Sequence, residues 1–289
     1  MKKIQLSILL LFITTMIIAQ GFQGQATYVS KRVLKDISFG SADKESAGGM
    51  DAETRKQMRE IMKKAFEKTY ILDFNAYESS FLKEVALATP AASTGSMSVS
   101  VSFSGEDTPL YKNTKTKQYL QERENYRDQI NLITDNLSVY DWKIDGSTKK
   151  IGGYDCYKAV AIIKITPKQM EDYKARKLKE SKRKTVLRPA EEPKDEIVEA
   201  WFTNDIPVSH GPATFWGLPG LILELTEGEI TYMCSKVVLN PKDKKAIAVP
   251  KKGKVISQAD FDEAEKKYFD KMANEDGMII HENATEFKK

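Results

Sequence analysis

The sequence predicts a mainly β (α+β) fold: one curved antiparallel sheet or half-barrel, accompanied by two or three helices. Three observations carry this expectation. Short runs rich in β-branched and aromatic residues recur along the chain, several with period-two alternation, as in GQATYVSKRV at 24–33 and SVSVSF at 98–103. Polar turn residues separate them at short intervals, a spacing that suits hairpins. The pattern shifts to helical period in only three places: 51–68, the segment opening at Thr166, and 257–273.

At the start of the chain, Lys2 and Lys3 precede an apolar stretch over 6–18, broken only by Ser7 and two threonines, and small residues follow at Ala19 and Gly21. That is the charged, apolar and small-residue order of a signal peptide. The apolar run is about 13 residues, against the roughly 20 that cross a bilayer as a helix. Residues 1–21 are therefore read as a cleavable signal peptide and 22–289 as a single β-rich domain. Ala19-Gln20-Gly21 fits a cut after Gly21; a cut after Ala19 would place bulky Ile17 at the minus-three position. No cysteine is present there for lipid attachment, and no later segment is long and apolar enough to span a membrane.

The net charge of +4 includes Lys2 and Lys3, so cleavage leaves +2, too little to argue for nucleic acid. Cys156 and Cys234 are the chain's two cysteines, in the matching patterns Tyr154-x-Cys156-x-Lys158-x-Val160 and Tyr232-x-Cys234-x-Lys236-x-Val238. Export into an oxidising space makes a disulfide between them the expectation, with buried free thiols as the alternative. Such a bridge would close a loop of about 78 residues and constrain the unfolded chain by roughly 4 kcal/mol. Nothing resembles Cys-x-x-Cys.

The first strand is expected at 24–33, followed by a Gly/Ser/Asp-rich loop to about Met50. Over 51–68, Met58, Ile61, Met62, Ala65 and Phe66 share one helical face. Strands are expected at 70–74 and 79–87, a flexible connector at 88–96, and a strand at 98–103. LYKN, KQYLQER and QINLIT within 110–137 read as successive antiparallel strands. Another is expected at 139–144, closed by the Asp145-Gly146 turn signal, and a long strand at 154–165. Thr166-Pro167-x-Gln169 supplies an N-cap, a first-turn proline and a capping-box partner, so a helix starts there. With Lys174, Arg176, Lys177, Lys179, Lys182, Arg183 and Lys184 it forms a charged excursion over 167–195, either solvated or turned towards an anionic membrane surface or acidic partner. Strands at 196–203, 221–226 and 230–239, the last two a hairpin across Glu227-Gly228-Glu229, precede the helix at 257–273, with Phe261, Ala264, Tyr268 and Met272 on one face, and a polar tail.

Between two of these strands lie Trp201-Phe202-Thr203-Asn204-Asp205-Ile206-Pro207, Gly211-Pro212-Ala213-Thr214-Phe215-Trp216 and Gly217-Leu218-Pro219-Gly220-Leu221-Ile222-Leu223. The last run resembles the signature of the GLPGLI family. The WFT-x-x-IP-x-x-x-GP-x-x-F spacing before it, IGGYDCYKA at 151–159 and DWKI at 141–144 also look like that family, over about 150 residues in the same order. The resemblance implies an exported protein of the Gram-negative envelope, periplasmic or secreted, from a family without an agreed activity. Prolines and glycines suit the segment to a tight corner between strands; Trp201, Phe215 and Trp216 are candidates for the rim of an apolar site. The layout is similar to lipoprotein-carrier half-barrels, at the level of fold only.

Chemistry-bearing groups are sparse. His210 follows Ser209, with Asp205 near in sequence, but adjacent loop residues face one another poorly and there is no Gly-x-Ser-x-Gly elbow. His281 lies in the tail. No metal-ligand spacing and no phosphate-cradling glycine loop is present, so no catalytic, cofactor-binding or metal-binding residue is assigned. The expectation is a non-catalytic binding or carrier module for a lipid or other apolar ligand. The alternative is a structural or protein-interaction component of the envelope.

Overall fold

Alternation of apolar and polar side chains sets the architecture. The structure, a computed structural model, describes residues 21–32, 52–84, 107–181, 190–244 and 246–272. Within them the strands are β1 (Gln23–Arg32), β2 (Lys68–Asn75), β3 (Glu78–Lys83), β4 (Leu110–Asn113), β5 (Gln118–Glu124), β6 (Ile130–Asn136), β7 (Lys143–Ile151), β8 (Tyr154–Ile163), β9 (Glu196–Thr203), β10 (Leu221–Glu227), β11 (Ile230–Leu239) and β12 (Lys254–Ile256). The helices are α1 (Ala52–Phe66), α2 (Pro167–Ser181) and α3 (Gln258–Met272). The strands form one 12-stranded sheet in the order β12-β6-β5-β4-β3-β2-β1-β11-β10-β9-β8-β7. Every pairing is antiparallel except β12 with β6. The expected mainly β fold is present.

Chain connectivity dictates the curvature. β6 and β7 are consecutive in sequence yet lie ten strand spacings apart in the sheet, which would be about 48 Å if the sheet were flat. The link over 137–142 spans at most roughly 25 Å when fully extended. The sheet must therefore curl until its two ends approach. The helices complete the approach: α2 leaves β8 near one edge, α3 packs on β6 near the other, and Lys266 of α3 lies 2.5 Å from Asp172 of α2. A second pair, Lys179 with Asp270 at 3.5 Å, joins the same helices.

Curling gathers the buried faces into two neighbouring clusters. One holds Ala26, Tyr28, Tyr70, Leu72, Phe74, Phe81 and Leu221; the other holds Val198, Ala200, Phe202, Phe215, Leu218, Ile222 and Leu225. Each large side chain withdrawn from water contributes about 1.5–3 kcal/mol.

The helix start at Thr166 is as the sequence predicts, with Thr166 N–H donating to Gln169 Oε1 at 2.7 Å and Gln169 N–H to Thr166 Oγ1 at 3.2 Å. The basic helix itself is not a detached excursion, since α3 engages it through ion pairs.

Three expectations are corrected. The strand expected at 139–144 instead begins at Lys143 and runs straight through Asp145-Gly146. Gly146, at φ +82°, sits in a register shift between Ile144 and Thr148, so the Asp-Gly pair makes a bulge. The turn falls at Gly152-Gly153, where two successive positive φ values give the twist a tight hairpin needs. β12 has no counterpart in the sequence reading, because its three residues are held by parallel pairing to β6.

The third correction concerns the disulfide: Cys156 and Cys234 are both free thiols. β8 and β11 are separated by β9 and β10, whereas a bridge needs Cα atoms within about 7 Å. Curvature brings both side chains to one core cluster, but each sulfur stays with its own strand, Cys156 Sγ 3.6 Å from the Tyr154 carbonyl and Cys234 Sγ 3.4 Å from that of Lys236. The signal peptide, the strand at 98–103, the connector before it and the polar tail lie outside the described residues.

Candidate functional site

The corner over 204–220 turns the chain from β9 into β10 and folds back on itself. Leu221 N–H donates to the Ile206 carbonyl at 3.0 Å, Ile222 N–H to that of His210 at 3.0 Å, and Gly217 N–H to Ser209 Oγ at 2.9 Å. Two glycines are required. Gly217 sits at φ +100°, and a Cβ on Gly220 would lie 1.9 Å from the Thr203 carbonyl oxygen. Leu218, Leu221 and Ile222 are buried, while Pro219 points outward.

The three candidate rim aromatics do not form one rim. Phe215 stacks on Tyr140 at 5.0 Å, and Trp216 Nε1 donates to the Ser138 carbonyl at 2.8 Å. Trp142 Nε1 in turn donates to the Trp216 carbonyl at 2.9 Å. Both residues therefore bolt the corner to the 137–142 link that joins the sheet's two ends. Trp201 packs with the other core cluster, its ring 4.2 Å from Lys149 Nζ, which also pairs with Glu224 at 2.8 Å.

Lys112 holds the corner from the opposite side. It is fully buried on β4 and donates to the carbonyls of Gly211, at 2.7 Å, and Phe215, at 3.0 Å. Burial lowers its ammonium pKa to about 7. His210 is also fully buried, with Nε2 3.1 Å from the Asn75 carbonyl. Desolvation, reinforced by the Lys112 charge, lowers its pKa to about 3, so the imidazole is neutral. Ser209 and His210 are thus committed to different partners and make no nucleophile-base pair. Period two carried a signal for Lys112, since it lies two residues from Leu110, on the same strand face. Its charge masked that signal.

Two clefts open elsewhere. One, about 340 Å³, is lined by Phe22, Asn75, Tyr77, Glu78, Asn113 and Lys115 around the β2–β3 and β4–β5 turns. The other, about 280 Å³, lies where the end of α1 meets the sheet, lined by Ser30, Lys31, Arg32, Phe66, Lys68, Tyr70, Ile230 and Tyr232. Register explains it: Ser30 faces Tyr232 and Lys68, and Arg32 faces Ile230, so these side chains emerge on one face. Its floor is an aromatic cluster, with Tyr70 stacked on Phe81 at 4.8 Å and Tyr232 edge-on to both at 5.9 and 6.1 Å. The Arg32 guanidinium lies 5.4 Å from the Phe66 ring. Among the described residues that line it, three are cationic and none is acidic. Sequence reasoning missed this cleft because β1 meets β11 through pairings about 200 residues apart, and β2 through pairings about 40 apart.

Residues 142–224 match Porph_ging, a family described as protein of unknown function. That stretch runs from Trp142, which anchors Trp216, to Glu224, so it contains the whole corner. No curated protein matches the chain. Among solved structures, two crystal structures of PNGF-II, in space groups C2 and P21, are similar at 15% and 16% identity with TM-scores of 0.46 and 0.47. The match covers 86% of this chain and 33% and 34% of theirs, so the chain spans about a third of their length. Among the described residues there is no group of three or more His, Cys, Asp or Glu able to hold a metal ion, and no helix long and apolar enough to cross a membrane.

Proposed function

We propose that this chain is a non-catalytic binding module of the cell envelope, exported by residues 1–21, that receives the apolar part of a small amphipathic ligand. The observation that carries the reading is the cleft floored by Tyr70 and Tyr232 and roofed by Phe66. An aromatic floor with a few polar groups at its margin is the usual make-up of a ligand site. Arg32 and Lys68 at its margin suit a ligand with an anionic end. Volume sets a limit: about 280 Å³ stands at the lower edge of the roughly 300–1,000 Å³ typical of ligand pockets. It accommodates one ring system or a short acyl segment, not a whole phospholipid.

The GLPGLI resemblance and the envelope location belong to the same proposal. The corner is fastened to the link that joins the sheet's two ends, through Trp216 to Ser138, Trp142 to Trp216 and Phe215 to Tyr140. The alternative, a docking role for the basic helix α2, has less support because Asp172 and Lys179 on that helix already face Lys266 and Asp270. Titrating the purified protein with anilinonaphthalene sulfonate and competing with medium-chain fatty acids tests the binding reading. Saturable, competable binding is expected; fluorescence no greater than with an inert control protein contradicts it.

A further inference from the structure

Three polar side chains outside the cleft meet where the corner rests on β3 and β4. Ser79, Lys112 and His210 are each 0% exposed. Ser79 stands directly opposite Lys112 in the β3–β4 ladder, so their side chains share a face. Phe74 stands opposite Ser79 on β2, and the His210 ring centre is 6.3 Å from that of Phe74. Lys112 Nζ reaches the carbonyl of Gly211, the residue after His210.

Their hydrogen-bonding capacity is unevenly used. In its protonated form Lys112 has three N–H protons and spends two on Gly211 and Phe215. Because the Asn75 carbonyl can only accept, His210 Nε2 carries the proton and Nδ1 presents a lone pair. Nδ1 and Ser79 Oγ are buried without a hydrogen-bond partner among the described residues. One donor, one acceptor and one hydroxyl able to act as either are left to satisfy.

We infer that Ser79, Lys112 and His210 together hold one internal water molecule, which accepts the third Lys112 proton and donates to His210 Nδ1 and to Ser79 Oγ. Three bonds is the usual number for a buried water. The occupant must both accept and donate. A halide cannot donate to Nδ1, and a metal or ammonium cation cannot accept from Lys112. The water ties β3 and β4 to the corner, so the corner's position rests on a polar junction as well as on its glycines.

The test uses the wild-type chain. In a high-resolution crystal structure a solvent peak is expected within hydrogen-bond distance of Ser79 Oγ, His210 Nδ1 and Lys112 Nζ. In isotope-labelled protein, cross-relaxation from long-lived water to the Ser79 β-protons and the His210 ring is expected, and Ser79→Val, which fills the space, should abolish the ring signal. A refined structure with Ser79 Oγ bonded directly to His210 Nδ1, or a wild-type protein without cross-relaxation at either residue, overturns the inference.

Discussion

The phenol of Tyr28 on β1 reaches across β11 and donates a 2.6 Å hydrogen bond to the backbone carbonyl of Ile222 on β10. Tyr28 is fully buried, and burial raises its pKa well above the usual phenol value, so it remains a donor wherever the protein is folded. The bond links the N-terminal strand to the last residues of the corner motif. Tyr28→Phe is expected to cost about 1–3 kcal/mol, the penalty for a buried carbonyl left without this donor. Denaturant unfolding with an unchanged slope checks it.

Gly217 and Gly220 are constrained for different reasons, and substitution separates them. At Gly217 the nearest side-chain atom to an added Cβ is 3.5 Å away, so only the positive φ opposes alanine; a loss of about 1–2 kcal/mol is expected. At Gly220 the clash is with backbone that cannot swing aside, and alanine is expected to cost more than about 3 kcal/mol or to prevent folding. Thermal melts of the two variants, side by side, give the order.

Stability should depend on pH through two buried groups, Lys112 and His210, and the half-buried Glu227. Lys112 titrates near 7 when folded and at about 10.4 when unfolded. Between those values the unfolded chain holds more protons, so stability rises with pH, by on the order of a few kcal/mol. His210 titrates near 3 when folded against about 6.5 unfolded, so its contribution falls as pH drops through that window. Glu227 has the opposite sign: burial, then the neighbouring Glu196 charge, raises its pKa to about 7, and stability falls as pH climbs from about 4.3 to 7. Lys112→Met should flatten the alkaline slope, and Glu227→Gln should stabilise the protein at pH 8 relative to pH 4. Unfolding free energies across pH measure both; an unchanged slope in Lys112→Met would contradict the assignment.

Two unreactive thiols are expected in the native protein. Burial raises the pKa of Cys156, and burial with a smaller effect from Cys156 raises that of Cys234 to about 11, so both remain protonated, with Cys156 buried and Cys234 half-buried. A thiol reagent should label neither quickly in native protein and both after denaturation. A reductant should leave the melting temperature unchanged.

Local pattern made most strands legible. β1, β8, β9, β10 and β11 all carry period-two runs, and α2 carried a full capping box, so their existence followed from neighbouring residues alone. What escaped the sequence was set by distant partners. β12 exists through β6, the cysteines' separation depends on strand order, and the Asp145-Gly146 turn signal was overruled by the Gly152-Gly153 pair seven residues later. The corner was recognisable from its glycines and prolines, but the roles of its aromatics were not, because Ser138, Tyr140 and Trp142 meet it only once the sheet has curled. The cleft was equally hidden: Arg32, Lys68 and Tyr232 are unremarkable until β1 lies between β2 and β11.

The binding proposal turns on that cleft, and one comparison tests it most directly: calorimetric titration of a medium-chain fatty acid into wild type and into an Arg32→Glu, Lys68→Glu variant shown to melt normally. Saturable binding to wild type, weakened at least tenfold in the variant, is the predicted result. No binding to wild type, or equal binding to both proteins, would contradict it.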